Sequence, residues 1–320
     1  MSREYKYIFG PVMSRRLGRS LGVDLTPFKT CSLNCIYCEC GPTTNLTLER
    51  QEFYPVQEII DELKDFLSSK PELDIITFSG SGEPTLHSGI GEVINWIKQN
   101  TSYPVCVLTN GTLLYRDDVQ NDLLHADIVI PSLDAAQKEI FLKINRPHPD
   151  LILDKIIKGI SEFRLKFSGE LALEIFLLPN INDQRDNIEK LIEAIKAISP
   201  DKVQLNSMDR PGAIPDLKPE PYESLTKIST EIQSHTNIPV NIISRIPQAN
   251  TPQRTQPKIS LNSRILSTLQ RRPSDKHELS HALGVSQETI DKILTELESK
   301  GLLVKMTLNN RILFKRKHDI

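Results

Sequence analysis

Four cysteines crowded into ten residues are the part of this sequence best suited to chemistry. Cys31, Cys35 and Cys38 form a C-x3-C-x2-C motif, Cys40 follows two residues later, and Cys106 stands apart. In a cytoplasmic chain such crowding indicates metal or redox chemistry instead of disulfides. A loop this short can bring three thiolates to one centre, where soft sulfur ligands favour iron–sulfur clusters or zinc.

Two kinds of metal site are compatible with these cysteines. A structural zinc site of this size normally has four cysteine or histidine ligands, so Cys40 would have to supply the fourth. None of the seven histidines pairs with a cysteine at zinc-finger spacing. An iron–sulfur cluster held by only three cysteines would leave one iron open. The cysteines alone leave both sites possible, and the motifs that follow favour the cluster.

Polar and glycine-rich segments follow the next predicted strands. Residues 79–85 read Ser-Gly-Ser-Gly-Glu-Pro-Thr, and their glycines would let the chain approach a ligand closely. The third strand ends in Thr-Asn-Gly at 109–111, and the fourth in Ser-Leu-Asp at 132–134. Taken singly, these segments could be plain β–α turns, because Asn-Gly is a turn dipeptide.

Residues 9–243 resemble the radical S-adenosylmethionine (SAM) superfamily, because the cysteine motif follows a first strand and the glycine-rich turn follows a second. The resemblance implies that Cys31, Cys35 and Cys38 ligate a [4Fe–4S] cluster whose open iron chelates the amino and carboxylate groups of SAM. It also implies reductive cleavage of SAM to methionine and a 5′-deoxyadenosyl radical, which removes a hydrogen atom from the substrate. Such an enzyme is oxygen-sensitive and takes electrons from a donor of flavodoxin or ferredoxin type.

The same resemblance implies the SAM contacts. Tyr37 stands where the family carries an aromatic residue beside SAM, although it could equally be an ordinary contact of the cysteine loop. The turn after the second strand is similar to the family's Gly-Gly-Glu motif, although its glutamate could also be a first-turn helix acid. The candidate SAM contacts are Tyr37, Gly82, Glu83, Pro84, Thr109, Asn110, Ser132, Asp134, Asn182 and Asn206.

Residues 9–41 look like a cytoplasmic branch of wyosine-synthetase-like radical SAM proteins, which implies RNA as a substrate. Arg15, Arg16 and Arg19 precede the first strand and could bind a phosphate or carboxylate, or form surface salt bridges. One departure counts against a true wyosine synthetase. Those enzymes hold a second cluster, and only Cys40 and Cys106 remain spare here.

The elements that must position these residues alternate between strand and helix. Short β-branched runs predict strands at residues 21–25, 74–78, 104–108, 127–131, 171–177, 202–206 and 239–243. Amphipathic stretches predict helices at residues 56–68, 89–99, 117–124, 137–143, 151–166, 185–198 and 222–234. We therefore expect an α/β fold, a partial (β/α)6 TIM-like barrel of the radical SAM type, with its chemistry at the carboxyl ends of parallel strands.

A second domain is expected after the barrel. The barrel would occupy residues 1–248, and a proline-containing linker residues 249–257. Helices at 261–269, 276–283 and 287–299, then strands at 302–306 and 312–315 around an Asn-Asn turn, predict a winged-helix domain over residues 258–320.

Charge leaves the partner of this domain open. The whole chain has a formal net charge of −2, whereas residues 258–320 contain twelve basic and seven acidic side chains, which favours nucleic acid. The predicted recognition helix at 287–299 has four acids and one lysine, which is poor for phosphate contact and keeps a protein or peptide partner possible.

No membrane partner is expected. No apolar run approaches the roughly 18 residues that a membrane helix needs. The first six residues, Met-Ser-Arg-Glu-Tyr-Lys, lack an apolar signal region. The sequence therefore predicts a cytoplasmic protein.

Three functions are compatible with these observations. The first is an enzyme that modifies RNA, with the winged helix recruiting tRNA. The second is an enzyme that modifies a protein, peptide or small metabolite, with the winged helix as a docking module. The third is an iron–sulfur regulator that binds DNA, which is disfavoured because a sensor needs no SAM pocket.

Overall fold

The structure is a computed structural model that describes residues 5–243, 261–308 and 311–317, except the side chain of His281. The predicted linker at 249–257 and the predicted hairpin turn lie outside the described residues. Among the described residues, no helix combines the length and the apolar character needed to cross a membrane.

One mixed sheet organises the first 243 residues. Its strands, with two short strands that pair separately, are β1 (Ile8–Ser14), β2 (Gly18–Val23), β3 (Thr30–Cys31), β4 (Asn45–Leu46), β5 (Ile75–Phe78), β6 (Val105–Thr109), β7 (Ile128–Pro131), β8 (Glu170–Phe176), β9 (Lys202–Asn206) and β10 (Val240–Ile242). The sheet order is β1-β2-β5-β6-β7-β8-β9-β10, with β1 antiparallel and the other seven strands parallel. The predicted parallel sheet is confirmed.

The sheet differs from the prediction at its first edge. β1 is an additional antiparallel strand that pairs with β2 across the arginine-rich turn at 15–17. The sequence of β1 contains Gly10-Pro11, which signals a turn and hides the strand. Proline is tolerated there because an edge strand does not need every N–H for the ladder.

Seven helices connect the strands, as the periodicity predicts. They are α1 (Val56–Leu67), α2 (Ile90–Asn100), α3 (Asp117–Leu123), α4 (Lys138–Ile144), α5 (Leu153–Lys166), α6 (Arg185–Ile198) and α7 (Tyr222–Thr236). Each helix packs one apolar stripe on the sheet; in α1 that stripe includes Ile59, Leu63 and Phe66. The central strands β5, β6 and β8 are buried on both faces, as expected for parallel strands under helices.

A second unit with its own apolar core follows. Its elements are α8 (Leu261–Arg271), α9 (Lys276–Leu283), α10 (Gln287–Ser299), β11 (Leu303–Leu308) and β12 (Arg311–Arg316). Asp275 and Glu278 form a capping box at the start of α9, Gly284 ends that helix in the left-handed region, and Ser286 caps α10. Its assignment as a winged helix stays a prediction.

This second unit packs against the barrel beside the cysteines. Helices α8 and α9 lie against β1. Arg271 Nε forms a buried ion pair with Asp24 at 2.7 Å, and the same guanidinium lies over the ring of Phe9. The guanidinium of Arg210 forms ion pairs with Glu39, which directly follows Cys38, and with Glu278 of α9. The second unit therefore forms part of the wall around the cysteine loop.

Candidate functional site

The cysteine loop, residues 24–47, leaves the carboxyl end of β2 and forms backbone hydrogen bonds with two neighbouring segments, the glycine-rich turn and the end of α4. Lys29 N donates to Ser81 O, and Glu83 N donates to Thr30 O. Further along, Ile36 N donates to Ile144 O at the end of α4. These backbone hydrogen bonds hold the loop at the edge of the sheet where the polar strand ends also lie.

Each of the three motif cysteines has a different nitrogen donor beside its sulfur. Lys29 Nζ lies 3.0 Å from Cys38 Sγ. Asn110 Nδ2 lies 3.5 Å from Cys31 Sγ, and Asn145 Nδ2 lies 3.4 Å from Cys35 Sγ. Lys29, Asn110 and Asn145 can each donate a hydrogen bond to a motif sulfur, and in that sense we call these three residues the sulfur donors.

Glu83 connects the glycine-rich turn to the end of β6. Its Oε1 accepts hydrogen bonds from Thr85 and from Thr109 Oγ1, and its Oε2 accepts one from Asn110 N. Burial raises the pKa of this carboxyl, and the hydrogen bonds oppose that rise. Glu83 therefore fixes the position of Asn110, which in turn contacts Cys31.

Gly82 is required because the glycine-rich turn runs against the cysteine loop. A Cβ at this position would lie 2.2 Å from Thr30 O and 2.4 Å from Thr26 Oγ1. The next residues form a short 3-10 helix, Pro84–Leu86, that is buried. No side chain can therefore stand between this turn and the cysteines.

Asp134 is a second buried centre of hydrogen bonds. It is 2% exposed, and its carboxylate accepts from Tyr37, Asn145 and Phe176 N. The Tyr37 ring stacks on Phe176 at 4.0 Å between ring centroids. Burial raises the pKa of the Asp134 carboxyl, and these hydrogen bonds oppose the rise. Asp134 thus holds both Tyr37 and one of the sulfur donors.

Asn182 is fully buried at the loop after β8. Its Oδ1 accepts from Leu178 N, and its Nδ2 donates to the backbone oxygens of Asp134 and Phe176. Protein groups thus form hydrogen bonds with the side chains of both Asp134 and Asn182, and the predicted contact of these two residues with SAM stays a prediction. Ser132 and Asn206, by contrast, are half-buried at their strand ends.

The three arginines in and just after the β1–β2 turn each have an acidic partner. Arg15 pairs with Asp209 at 3.2 Å, and Arg19 pairs with Glu72 at 2.9 Å. Arg16 reaches Glu174 of β8 and Gln204 of β9. The structure therefore disperses these arginines over three ion pairs and does not gather them into one anion site.

Of the remaining cysteines, Cys106 lies away from the motif sulfurs, whereas Cys40 contacts both Cys38 and the second unit. Cys106 is buried in the small apolar cluster with Ile75, Ile130 and Ala172. Cys40 Sγ donates to Arg271 O at 2.9 Å. Cys40 therefore takes part in the contact between the cysteine loop and the second unit.

Comparison with known proteins decides the family. The model of the radical SAM superfamily matches residues 25–195, more than half of the chain. This chain belongs to the radical SAM superfamily. The expected class of enzyme and the expected type of barrel are thereby confirmed, whereas the wyosine-like branch stays a prediction.

The curated relatives extend this likeness beyond the barrel. The GTPase Obg of Brachyspira hyodysenteriae is 38% identical over 306 residues, which are 95% of this chain but only 44% of that protein. The UPF0026 protein MJ1312 of Methanocaldococcus jannaschii is 39% identical over 222 residues, 69% of each protein.

Two solved radical SAM structures share the fold. A radical SAM methyltransferase from Sphaerobacter thermophilus superposes with a TM-score of 0.54 at 16% identity, covering 70% of this chain and 65% of that one. SuiB from Streptococcus suis, solved with bound SAM, gives a TM-score of 0.51 at 13% identity, covering 69% of this chain and 49% of that one. At these identities the likeness shows the radical SAM fold alone.

The residues at the edge of the sheet fit the cofactors that the radical SAM family implies. Three thiols with nitrogen donors suit an iron–sulfur cluster, whose sulfurs commonly accept hydrogen bonds. Asn145 Oδ1 is buried and, among the described residues, has no hydrogen-bond partner. Within the same residues, no three His, Cys, Asp or Glu side chains are grouped to hold a single metal ion. A four-iron cluster differs because its cysteines bind separate irons.

The three motif thiols differ in acidity in the radical SAM chain without its cluster. A hydrogen bond from Cys40 and the charge of Lys29 lower the pKa of Cys38 to about 5, against the effect of burial. Burial raises the pKa of Cys31 to about 12, with Glu83 adding to the rise. Burial also raises the pKa of Cys35 well above its usual value. Cys38 is therefore the thiolate of the set at neutral pH.

We predict that iodoacetamide alkylates Cys38 first in the cluster-free protein. The thiolate is the nucleophile, and a pKa lowered to about 5 keeps Cys38 deprotonated at every pH above about 6, so its rate should stay nearly constant between pH 6 and pH 8. Mass spectrometry of peptides from timed samples measures the rate at each cysteine. Preferential alkylation of Cys31, or a rate at Cys38 that rises tenfold per pH unit, would contradict the prediction.

Sequence reasoning missed three residues of the site: Lys29, Asn145 and Asp24. Lys29 lies two residues before the motif, where no family pattern singles it out. Asn145 is 110 residues from Cys35, its sulfur partner. Asp24 receives Arg271 from the second unit and also accepts from Ser81 in the glycine-rich turn. Such long-range partners leave no local signal in one sequence.

Proposed function

We propose that this protein is a radical SAM enzyme in which Cys31, Cys35 and Cys38 bind a [4Fe–4S] cluster. The observation that carries the proposal is the meeting of these three thiols with the Glu83 turn and the end of β6 at one edge of the parallel sheet. When bound, the cluster and SAM would supply one-electron cleavage of SAM to a 5′-deoxyadenosyl radical. The protein itself positions these groups and excludes water.

The SAM site in this proposal lies between the glycine-rich turn and Tyr37. Gly82 brings the turn close to the cysteine loop, and Asn206 pairs with Phe176, on which Tyr37 stacks. Ser132 and Asn206 are half-buried polar residues at strand ends, and in this proposal they donate or accept hydrogen bonds with SAM or substrate. Asp134 and Asn182 hold this arrangement from behind.

For the substrate, we favour a protein, a peptide or a small metabolite over RNA. Five of the eleven described lysine and arginine side chains of the second unit pair with an acid of the same unit, namely Lys276, Lys292, Lys300, Lys305 and Arg311. A surface that binds nucleic acid needs cations free to replace the counterions of phosphates. The second unit, whether or not it is a winged helix, then acts as a wall of the site and a docking module.

The test of the chemistry is anaerobic reconstitution with iron and sulfide, followed by dithionite and SAM. We expect bound iron and sulfide near four of each per chain, as the cluster formula requires, and formation of 5′-deoxyadenosine measured by chromatography. If cleavage needs a substrate, SAM should still change the EPR spectrum of the reduced cluster. A fully loaded, reduced protein that neither cleaves nor binds SAM would refute the proposal.

The test of the substrate class is equilibrium binding of total tRNA to the reconstituted protein at 50 and 200 mM salt. We expect weak binding at both concentrations because five of the basic side chains of the second unit are paired with acids. Tight binding that falls about 10³-fold or more between the two concentrations would instead support RNA, because it would report several phosphate contacts.

A further inference from the structure

We propose that the three sulfur donors, Lys29, Asn110 and Asn145, set the reduction potential of the cluster, with Lys29 as the dominant member. The inference rests on the proposed function, because it assigns a role to residues around the same cysteines. Hydrogen bonds to the sulfurs of an iron–sulfur cluster are among the factors that determine its potential. The structure supplies one donor for each cysteine sulfur, at 3.0, 3.5 and 3.4 Å.

The donors come from three separate parts of the chain. Lys29 belongs to the cysteine loop, Asn110 follows β6, and Asn145 caps the carboxyl end of α4. Lys29 and Asn145 are each 3% exposed. Three independent elements therefore converge on three sulfurs, which one flexible loop could not achieve.

The two amides are fixed in the orientation that presents nitrogen to sulfur. Asn145 Nδ2 also donates to the buried carboxylate of Asp134, so the reversed amide would place two oxygens together. Asn110 Oδ1 accepts from Thr112, which leaves its Nδ2 for Ser32 Oγ and the Cys31 sulfur. Both N–H groups are thus held in place before any cluster binds.

Lys29 differs from the amides because it brings a charge. Among the described residues it forms no ion pair with a carboxylate, and its ammonium faces the sulfur of Cys38. A lysine side chain ordinarily carries a positive charge at neutral pH. The ammonium of Lys29 therefore places a cation within hydrogen-bond distance of one motif sulfur.

The backbone of Lys29 also departs from the ordinary region. Its φ is +58°, an uncommon left-handed conformation for a lysine. Its carbonyl accepts from Thr44 N and Asn45 N, and its N–H donates to Ser81, so the surroundings fix this conformation. Strain of this kind persists at functional sites, here where it aims the side chain at Cys38.

The expected consequence follows from charge. One-electron reduction of the 2+ cluster to the 1+ state, with dithionite as the reductant, adds one negative charge next to Lys29. A buried cation within hydrogen-bond distance stabilises that added charge more than it stabilises the oxidised state. Lys29 therefore raises the potential and makes the cluster easier to reduce by a weak cellular donor.

The experiment is an anaerobic redox titration of reconstituted protein, followed by the EPR signal of the reduced cluster. Lys29→Met keeps the length of the side chain and removes both charge and donor, so we expect a midpoint potential clearly more negative than in the wild type. Lys29→Arg should stay near the wild type, and Asn145→Leu should shift less than Lys29→Met. Lys64→Met, on the exposed face of α1, is the control for loss of a distant lysine.

Two outcomes separate this inference from the proposed function. If the wild type binds no cluster, the proposed function fails; if it binds one and Lys29→Met has the same potential at equal iron and sulfide content, only this inference fails. Should Lys29→Met not load a cluster, ENDOR of the reduced wild-type cluster in D2O decides. Strongly coupled exchangeable deuterons would support hydrogen bonds from the sulfur donors to the cluster. The absence of such deuterons would overturn the inference.

Discussion

Replacement of Cys35 by alanine should abolish formation of 5′-deoxyadenosine and reduce bound iron to the level of unreconstituted protein. The reason is that the proposed cluster uses three thiolates, and in the described part of the chain the other two cysteines already have contacts of their own. Cys40 donates to the backbone of Arg271, and Cys106 is buried in the barrel. Iron and sulfide assays, together with chromatography of the SAM products, measure the effect.

The matched control is Cys106→Ala. It removes the same type of side chain from a fully buried position that does not touch the motif sulfurs. We expect it to load a cluster and to cleave SAM at the wild-type rate, with only a modest loss of stability from the small cavity. Equal activity in Cys35→Ala and the wild type, or equal loss in both variants, would contradict the assignment of the ligands.

Arg271→Ala should destabilise the protein by about 3–5 kcal/mol, because it leaves the buried Asp24 carboxylate without its cation. Both side chains of this pair are less than a tenth exposed. The substitution also removes the guanidinium from the ring of Phe9. The midpoint of urea unfolding measures the loss, and limited proteolysis shows whether the second unit is released first.

Two comparisons isolate the ion pair as the cause. Lys292→Ala removes an exposed pair with Glu288 from the same unit, so its unfolding midpoint should match the wild type. The double variant Asp24→Asn, Arg271→Leu removes both charges and should recover part of the stability lost in Arg271→Ala. An unchanged midpoint in Arg271→Ala would show that Asp24 is not dependent on this partner.

Much of the barrel could be predicted from the sequence because its signals are local. The apolar stripe of α1 predicts a helix and the β-branched run of β7 predicts a strand, each from a few neighbouring residues. The same applies to the three cysteines and the Gly82-Glu83 turn, whose spacing is contained in short segments. In contrast, β1 was hidden by Gly10-Pro11, because turn signals and an edge strand can use the same residues.

The partners within the site could not be predicted, because they depend on contacts between distant segments. A sequence shows that Asp134 follows a strand. Only the fold shows that its carboxylate accepts hydrogen bonds from Tyr37, Asn145 and Phe176 N. Likewise, counting charges after residue 257 suggests a basic surface. The structure shows that five of those cations are paired with acids of the same unit, and this pairing changes the favoured class of substrate.

The position of α8 and α9 against β1 has a consequence for how the chain is made. β1 leaves the ribosome before the rest of the described barrel, yet the helices α8 and α9 that cover it are synthesised only after the whole barrel. Until then, the nascent barrel carries an uncovered sheet edge of the kind that pairs with other chains. Pro11 interrupts the donors along that edge, and such an interruption limits aggregation during the delay.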